Sequence, residues 1–143
     1  MGSALSQAEL IILAGPTASG KTALALRLAE RLGVEIVSAD SQQVYRYFDI
    51  GTAKPSAAEL ALVRHHLVSV VEPNQRFSAA EFQRLADAAI ADIRSRGRRV
   101  LVVGGTGLYL RVLLHGVISA PGANAKLRKQ LEEDAAQKGT AAL

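Results

Sequence analysis

Gly15-Pro16-Thr17-Ala18-Ser19-Gly20-Lys21-Thr22 is the stretch on which the reading of this chain turns. It satisfies G-x-x-x-x-G-K-[ST], the pattern of a phosphate-cradling loop, at every fixed position. Leu10-Ile11-Ile12-Leu13-Ala14 precedes it as a short apolar run, the pattern of a buried strand. Beyond it Leu24, Leu28 and Leu32 recur at i, i+4 and i+8, with Arg27, Glu30 and Arg31 on other faces, which predicts an amphipathic helix. Strand, glycine loop and helix start in that order predict an anion site. Loop amides turn inward on phosphate oxygens, and the helix N-terminus adds about half a positive charge. Lys21 supplies a mobile full charge, and the Thr22 hydroxyl is placed to ligate a magnesium ion. The loop is expected to bind phosphate, but it does not say whose.

Outward from the loop, Val34 to Ser38 predicts a second strand, with the helix as a right-handed crossover. Asp40 follows it directly. Ligands of open parallel sheets gather beyond the carboxyl ends of strands, so Asp40 is expected to face the phosphate site. It is a candidate general base or magnesium partner there; an aspartate capping its own turn is the alternative. From Gln42 to Pro55 periodicity is lost, and three of the six aromatics of the chain fall in this segment. A long irregular segment after a strand end is commonly functional. Arg46 and Lys54, within it, are candidates for phosphate contact or for solvated surface charge.

Ser56-x-x-Glu59 and Ser78-x-x-Glu81 are capping boxes that open two helices. The second carries Phe82, Leu85, Ala86, Ala89, Ile90 and Ile93 as a helical stripe, with Gly97 as its C-cap. Leu67 to Val71 predicts a third strand and Val100 to Val103 a fourth. His65 and His66, being adjacent, point to opposite faces of a strand and read as structural. After the fourth strand stands Gly104-Gly105-Thr106-Gly107 where a motor-type nucleotide hydrolase carries an aspartate, which counts against that class. Glycines here let a backbone or ligand approach closely; a plain turn is the other reading. Leu108 to Leu114 continues as helix, Pro121 and Gly122 break the chain, and Lys126 to Lys138 predicts a last helix with Leu127, Leu131 and Ala135 on one face. The arginine-rich run from Arg94 to Arg99 reads as a helix terminus favoured by its dipole, or as a nucleic-acid-facing patch. The fold class is α/β, with an open parallel sheet of four strands.

Bulk properties narrow the classes. A chain of 143 residues, 49% hydrophobic and 21% charged, is one globular domain with a real core. No apolar run reaches membrane-spanning length and no signal pattern opens the chain, so a cytoplasmic protein without a membrane partner is expected. The absence of cysteine excludes disulfides and thiolate metal sites. Net charge is +4 and 12 of the 17 basic residues are arginine, which suits phosphate contacts.

The collected segments resemble the tRNA dimethylallyltransferases. They are GPTASGKT (Gly15 to Thr22), SADSQQVYR (Ser38 to Arg46), DIGTAKP (Asp49 to Pro55), HHLVSVVEP (His65 to Pro73), FSAAEF (Phe77 to Phe82) and VVGGTGLY (Val102 to Tyr109). They stand in the family's order, and GTAKP together with GGTGLY is far more specific than the loop alone. The resemblance implies a P-loop NTPase-like three-layer fold, of which residues 1–116 form the prenyltransferase core. Residues 117–143 would be a linker and the start of a helical segment. It implies that Gly15, Pro16, Thr17, Ala18, Ser19, Gly20, Lys21 and Thr22 hold the diphosphate of dimethylallyl diphosphate, with Mg2+ at Thr22. Asp40 would be the general base for an adenine N6 amine beside the anticodon. Asp40, Ser41, Gln42, Gln43, Thr106 and Arg128 would contact the anticodon loop of tRNA. Family members are roughly twice this length, so the expectation is an N-terminal part whose C-terminal portion is missing, with turnover by this chain alone an open point. The rival readings are a small P-loop kinase using ATP, a prenyltransferase acting on free adenylate, and a non-catalytic fragment that retains only phosphate binding.

Overall fold

The computed structural model describes residues 10–117 and 124–139. In chain order the elements are β1 (Ile11–Ala14), α1 (Lys21–Leu32), β2 (Val34–Ser38), α2 (Ala57–Leu62), β3 (His65–His66), α3 (Ala79–Ser95), β4 (Arg99–Gly104), α4 (Gly107–His115) and α5 (Ala125–Lys138). The expected break at Pro121 and Gly122 lies outside the described residues.

The strands form one parallel sheet in the order β1-β4-β2-β3. Alternation sends the two faces to different helices. Val34, Ile36 and Leu101 pack on Ala25 and Ala29 of α1. Val37, Val100 and Val102 pack on Phe82, Ala86, Ile90 and Ile93 of α3 and on Tyr109 and Val112 of α4. The result is three layers, as expected. β2 is buried along its whole length, the pattern of a central parallel strand covered on both faces.

Both capping boxes form. Ser56 accepts from the Glu59 amide and Ser78 from the Glu81 amide, each glutamate reaching back to the cap amide. α3 ends where Gly97 takes φ +69°, its amide donating to Arg94 O and the Arg98 amide to Ile93 O. That pair of bonds is the Schellman closure that glycine allows at low steric cost.

Three expectations need correction. On α1 the buried residues are Ala25 and Ala29, while Leu24 is 46% exposed and Leu28 and Leu32 flank the contact. The small alanines face the sheet, so the stripe runs one residue off the leucine ladder. The third strand is His65–His66 and not Leu67 to Val71. Leu67 and Ser69 hold φ of +63° and +53°, outside the β region, so the ladder cannot continue. Leu67 and Val71 are still buried, and the amides of Val70 and Val71 turn to Val44 O.

The third correction concerns the arginine run. Glu35 of β2 is 4% exposed on the α3 face, and Arg96 grips it with both terminal nitrogens, one of them at 2.8 Å. His66 Nε2 lies 2.8 Å from the same carboxylate, with Arg64 and Arg98 each at 3.9 Å. Arg96 is thus not a merely solvated helix terminus. It neutralises a buried anion at the amino end of the sheet, opposite the glycine loop. The Arg96 hydrogen bonds hold the Glu35 carboxyl down at about 2 against burial, and the His66 contact assists. A depressed carboxylate stabilises the fold above its ordinary pKa of 4.5 and loses that contribution as pH falls through about 2. Glu35→Gln should therefore cost about 2 kcal/mol at neutral pH. The two proteins should converge in urea midpoint as pH approaches 2; a gap that stays constant from neutral pH down would refute the assignment.

Candidate functional site

The carboxyl ends of β1, β2 and β4 meet because β4 lies between the other two. The glycine loop leaves β1, the Asp40 loop leaves β2, and Gly104-Gly105-Thr106 leaves β4. Their backbones touch. A Cβ on Gly104 would lie 2.1 Å from Ala39 O, and one on Gly105 would lie 3.0 Å from Gly15 O. The Ala39 amide donates to Val103 O at 2.8 Å, and the Thr106 amide to Ala39 O at 3.3 Å. The Ser41 amide donates to Thr106 Oγ1 at 3.0 Å. The glycine pair is therefore a spacer that admits backbone, which decides between the two readings of that turn.

In the glycine loop, Ala18 and Gly20 hold φ of +63° and +82°, a curl that α1 continues from Lys21. A non-glycine residue held at positive φ carries strain that clusters at functional loops. Lys21 Nζ lies across its own loop, donating to Pro16 O and, at 3.4 Å, to Ser19 Oγ. The Thr22 side chain stands on the first turn of α1. Residues Thr17 to Thr22 line one open cleft with Asp40, Gln42 and Gln43. Its far wall is Gly51, Thr52 and Ala53, residues the sequence alone did not assign to the site. The glycine at position 51, with φ +79°, was the available signal.

Asp40 caps its own turn and also lines the cleft. Its Oδ1 accepts from the amides of Gln42 (2.8 Å) and Gln43 (3.2 Å), closing its own turn. Among the described residues Oδ2 takes no hydrogen bond, and the residue lines the cleft beside Lys21 and Thr22. One oxygen fixes the carboxylate and the other remains free for chemistry.

Gln43 is committed internally. Its Nε2 donates to Ala53 O at 2.8 Å, and its Oε1 accepts from Ser38 Oγ at 3.1 Å. It ties the far wall of the cleft to the end of β2. Lys54 is neither a phosphate contact nor a solvated charge: its side chain is 6% exposed, donating at 2.8 Å to both Tyr45 O and Asp49 Oδ1. Arg46 pairs with Glu72 at 3.1 Å. These bonds make the segment after Asp40 a compact loop that closes on itself. Asp40, Ser41, Gln42, Gln43 and Thr106 are thus gathered in one place. Arg128 is not among them; it is exposed on α5, a helix that buries no residue.

Thr22 and Asp40 offer hard oxygen donors in one cleft. That suits Mg2+, which takes one or two protein oxygens and completes its shell with phosphate oxygens and water. Among the described residues no cluster of three or more His, Cys, Asp or Glu would hold a metal by protein ligands alone.

Fold and site together define a three-layer α/β protein with an open parallel sheet and a glycine-loop site at its carboxyl edge. The IPP transferase family profile matches residues 43–143, and the chain belongs to that family. It is 67% identical over its whole length to a tRNA dimethylallyltransferase of Myxococcus xanthus (strain DK1622), covering 47% of that protein. It is 65% identical over 94% of its length to a tRNA dimethylallyltransferase of Anaeromyxobacter sp. (strain Fw109-5), covering 45% of it. Among solved structures, the full-length tRNA isopentenylpyrophosphate transferase of Bacillus halodurans superposes with a TM-score of 0.75 at 44% identity, over 94% of this chain and 45% of that one. A eukaryotic dimethylallyltransferase acting on tRNA superposes with a TM-score of 0.74 at 32% identity, over 87% of this chain and 32% of that one. The chain spans about half the length of the curated relatives it matches. No helix among the described residues is long and apolar enough to cross a membrane.

Proposed function

We propose that this chain carries the donor site and the general base of a prenyl transfer. In that reaction the dimethylallyl group of dimethylallyl diphosphate passes to the N6 amine of the adenosine beside the anticodon of tRNA. The observation that carries this reading is the convergence of the Lys21–Thr22 loop and the half-free Asp40 carboxylate on one cleft. The loop amides, Lys21 and the α1 N-terminus stabilise charge that builds on the diphosphate as the allylic C–O bond breaks and the leaving group takes the electron pair. Mg2+ bound at Thr22 would supply further charge stabilisation for that group. The amine nitrogen bonds to the allylic carbon, and Asp40 Oδ2 accepts the proton it loses. Ser41, Gln42 and Thr106, gathered beside Asp40, would in this reading contact the anticodon loop, whose unpaired bases leave the stack at low cost. Gln43 serves here by holding the cleft wall, and Arg128 belongs to the same reading through α5. Residues 1–116 form the core in this view and 117–143 the approach to a further helical segment, supported by the lack of burial along α5. The cytoplasm, where tRNA is modified, is the compartment that fits.

Calorimetry with Mg2+ tests this directly, comparing dimethylallyl diphosphate with ATP on the chain and on Lys21→Ala. The prenyl donor should bind, ATP should not compete, and the variant should lose about a hundredfold in affinity, the weight of a charge-assisted contact in a partly enclosed site. Preference for ATP would replace this reading by a P-loop kinase. Radiolabel transfer to tRNA then measures whether the chain completes the reaction.

A further inference from the structure

His65 is a histidine of fixed orientation whose second nitrogen has no assigned task. It pairs in register with Ile36 across the parallel β2–β3 ladder, so both side chains project to the α1 face. Its Nδ1 lies 2.8 Å from Val63 O. A carbonyl oxygen only accepts, so Nδ1 carries the hydrogen and, in the neutral ring, Nε2 is an acceptor with a free lone pair. Burial pulls the ring's pKa below its ordinary value, with the Val63 bond and Glu59 opposing, so the neutral form holds at pH 7. No hydrogen bond reaches Nε2 from the described residues, and no buried side-chain nitrogen or oxygen among them is left unpaired, so Nε2 opens on accessible space. The cavity that His65 lines is shared with Lys21, Thr22, Ser38 and Asp40. His66, by contrast, faces the opposite side and is engaged by Glu35.

An acceptor-only nitrogen is unsuited to phosphate oxygens, which are themselves acceptors. Beside a Thr hydroxyl and a carboxylate it suits a donor, and hydrated Mg2+ brings donors because it gives up its waters reluctantly. We propose that His65 is a positioning residue of the phosphate cavity, its Nε2 accepting a hydrogen bond from a water of the magnesium–diphosphate group held by Lys21 and Thr22. The proposal rests on the phosphate-binding part of the reading above and names an outer partner for its metal, the kind of group whose loss commonly weakens metal affinity by 10–100-fold.

The test is a titration of the chain with inorganic pyrophosphate, with and without Mg2+, read by calorimetry and by nitrogen NMR of 15N-histidine-labelled protein. Pyrophosphate with Mg2+ should move the Nε2 resonance of His65 toward that of a hydrogen-bonded acceptor and leave His66 unmoved. Pyrophosphate alone should move neither resonance. His65→Asn keeps a donor near Val63 O and removes the Nε2 acceptor; it should lose about tenfold in pyrophosphate affinity with Mg2+ present and nothing without it. Equal affinity in the variant, an equal loss in both conditions, or an unmoved His65 signal on wild-type binding would each overturn the proposal. Should His65→Asn fail to fold, the wild-type resonance decides alone. Failure of the wild-type chain to bind pyrophosphate at all would overturn the phosphate reading together with this one, an outcome distinct from the others.

Discussion

Gly104→Ala is expected to abolish folding or to destabilise the chain by about 4 kcal/mol or more, at the extreme end of single substitutions. The reason is space, not conformational freedom. The added Cβ would stand 2.1 Å from Ala39 O, 2.5 Å from its carbonyl carbon and 2.8 Å from its Cβ. All three are atoms at the end of β2, held by the Ala39–Val103 and Thr106–Ala39 backbone bonds, so no flexible side chain can swing aside. Relief requires the end of β2 to leave β4, and that moves Asp40 with it. Domains of this size have about 5–15 kcal/mol in hand, so the loss takes most of it. Gly107→Ala is the control. Its Cβ meets nothing within 4 Å and the residue starts α4 without positive φ, so that variant should melt at or above the wild type. Equal melting of the two variants would show that the strand ends separate easily.

This pair of glycines shows what the sequence made legible and what it did not. The loop motif, the strand before it and the helix after it depend on local chemistry, and local chemistry is what a sequence displays. β1, α1, β2 and β4 lie where their patterns put them. Contacts between segments remote in sequence carry no such pattern. Glu35 sits in an apolar strand 61 residues from Arg96, and nothing in either neighbourhood announces the pairing. The partners of Lys54 and Gln43 lie only 5 to 10 residues away, within or beside a loop without periodicity, so the same lack of signal hid their internal roles. His65 was hidden differently. Adjacent histidines on opposite faces of a strand read alike as structural, yet each face has its own neighbours. The register with Ile36 puts one on the α1 face and the other over Glu35. The failure of the third strand has a backbone cause, the positive φ of Leu67 and Ser69, which apolar composition masks.

Asp40→Asn isolates the chemistry from the architecture. The amide keeps an oxygen at the Oδ1 position, so the turn closed by the Gln42 and Gln43 amides should persist and the thermal midpoint should move little. What is lost is the basic Oδ2. Prenyl transfer to tRNA should fall about a thousandfold in kcat, within the range ascribed to a positioned general base. Diphosphate binding should respond in the other sense. Asp40 lines the cleft beside Lys21 and Thr22, where its negative charge opposes a bound anion, so without Mg2+ the variant should bind pyrophosphate as well as or better than the wild type. Slow transfer joined to undiminished pyrophosphate binding is the signature of a base that touches the acceptor. A parallel loss of both would make Asp40 a structural clasp, its Oδ1 turn being the whole of its role. Retained transfer with weakened binding would place it at the diphosphate and leave the proton of the amine to another acceptor. Measuring both quantities on the same preparations separates these cases even where transfer by this chain is slow, because the sign of the Mg2+-free binding change does not depend on turnover.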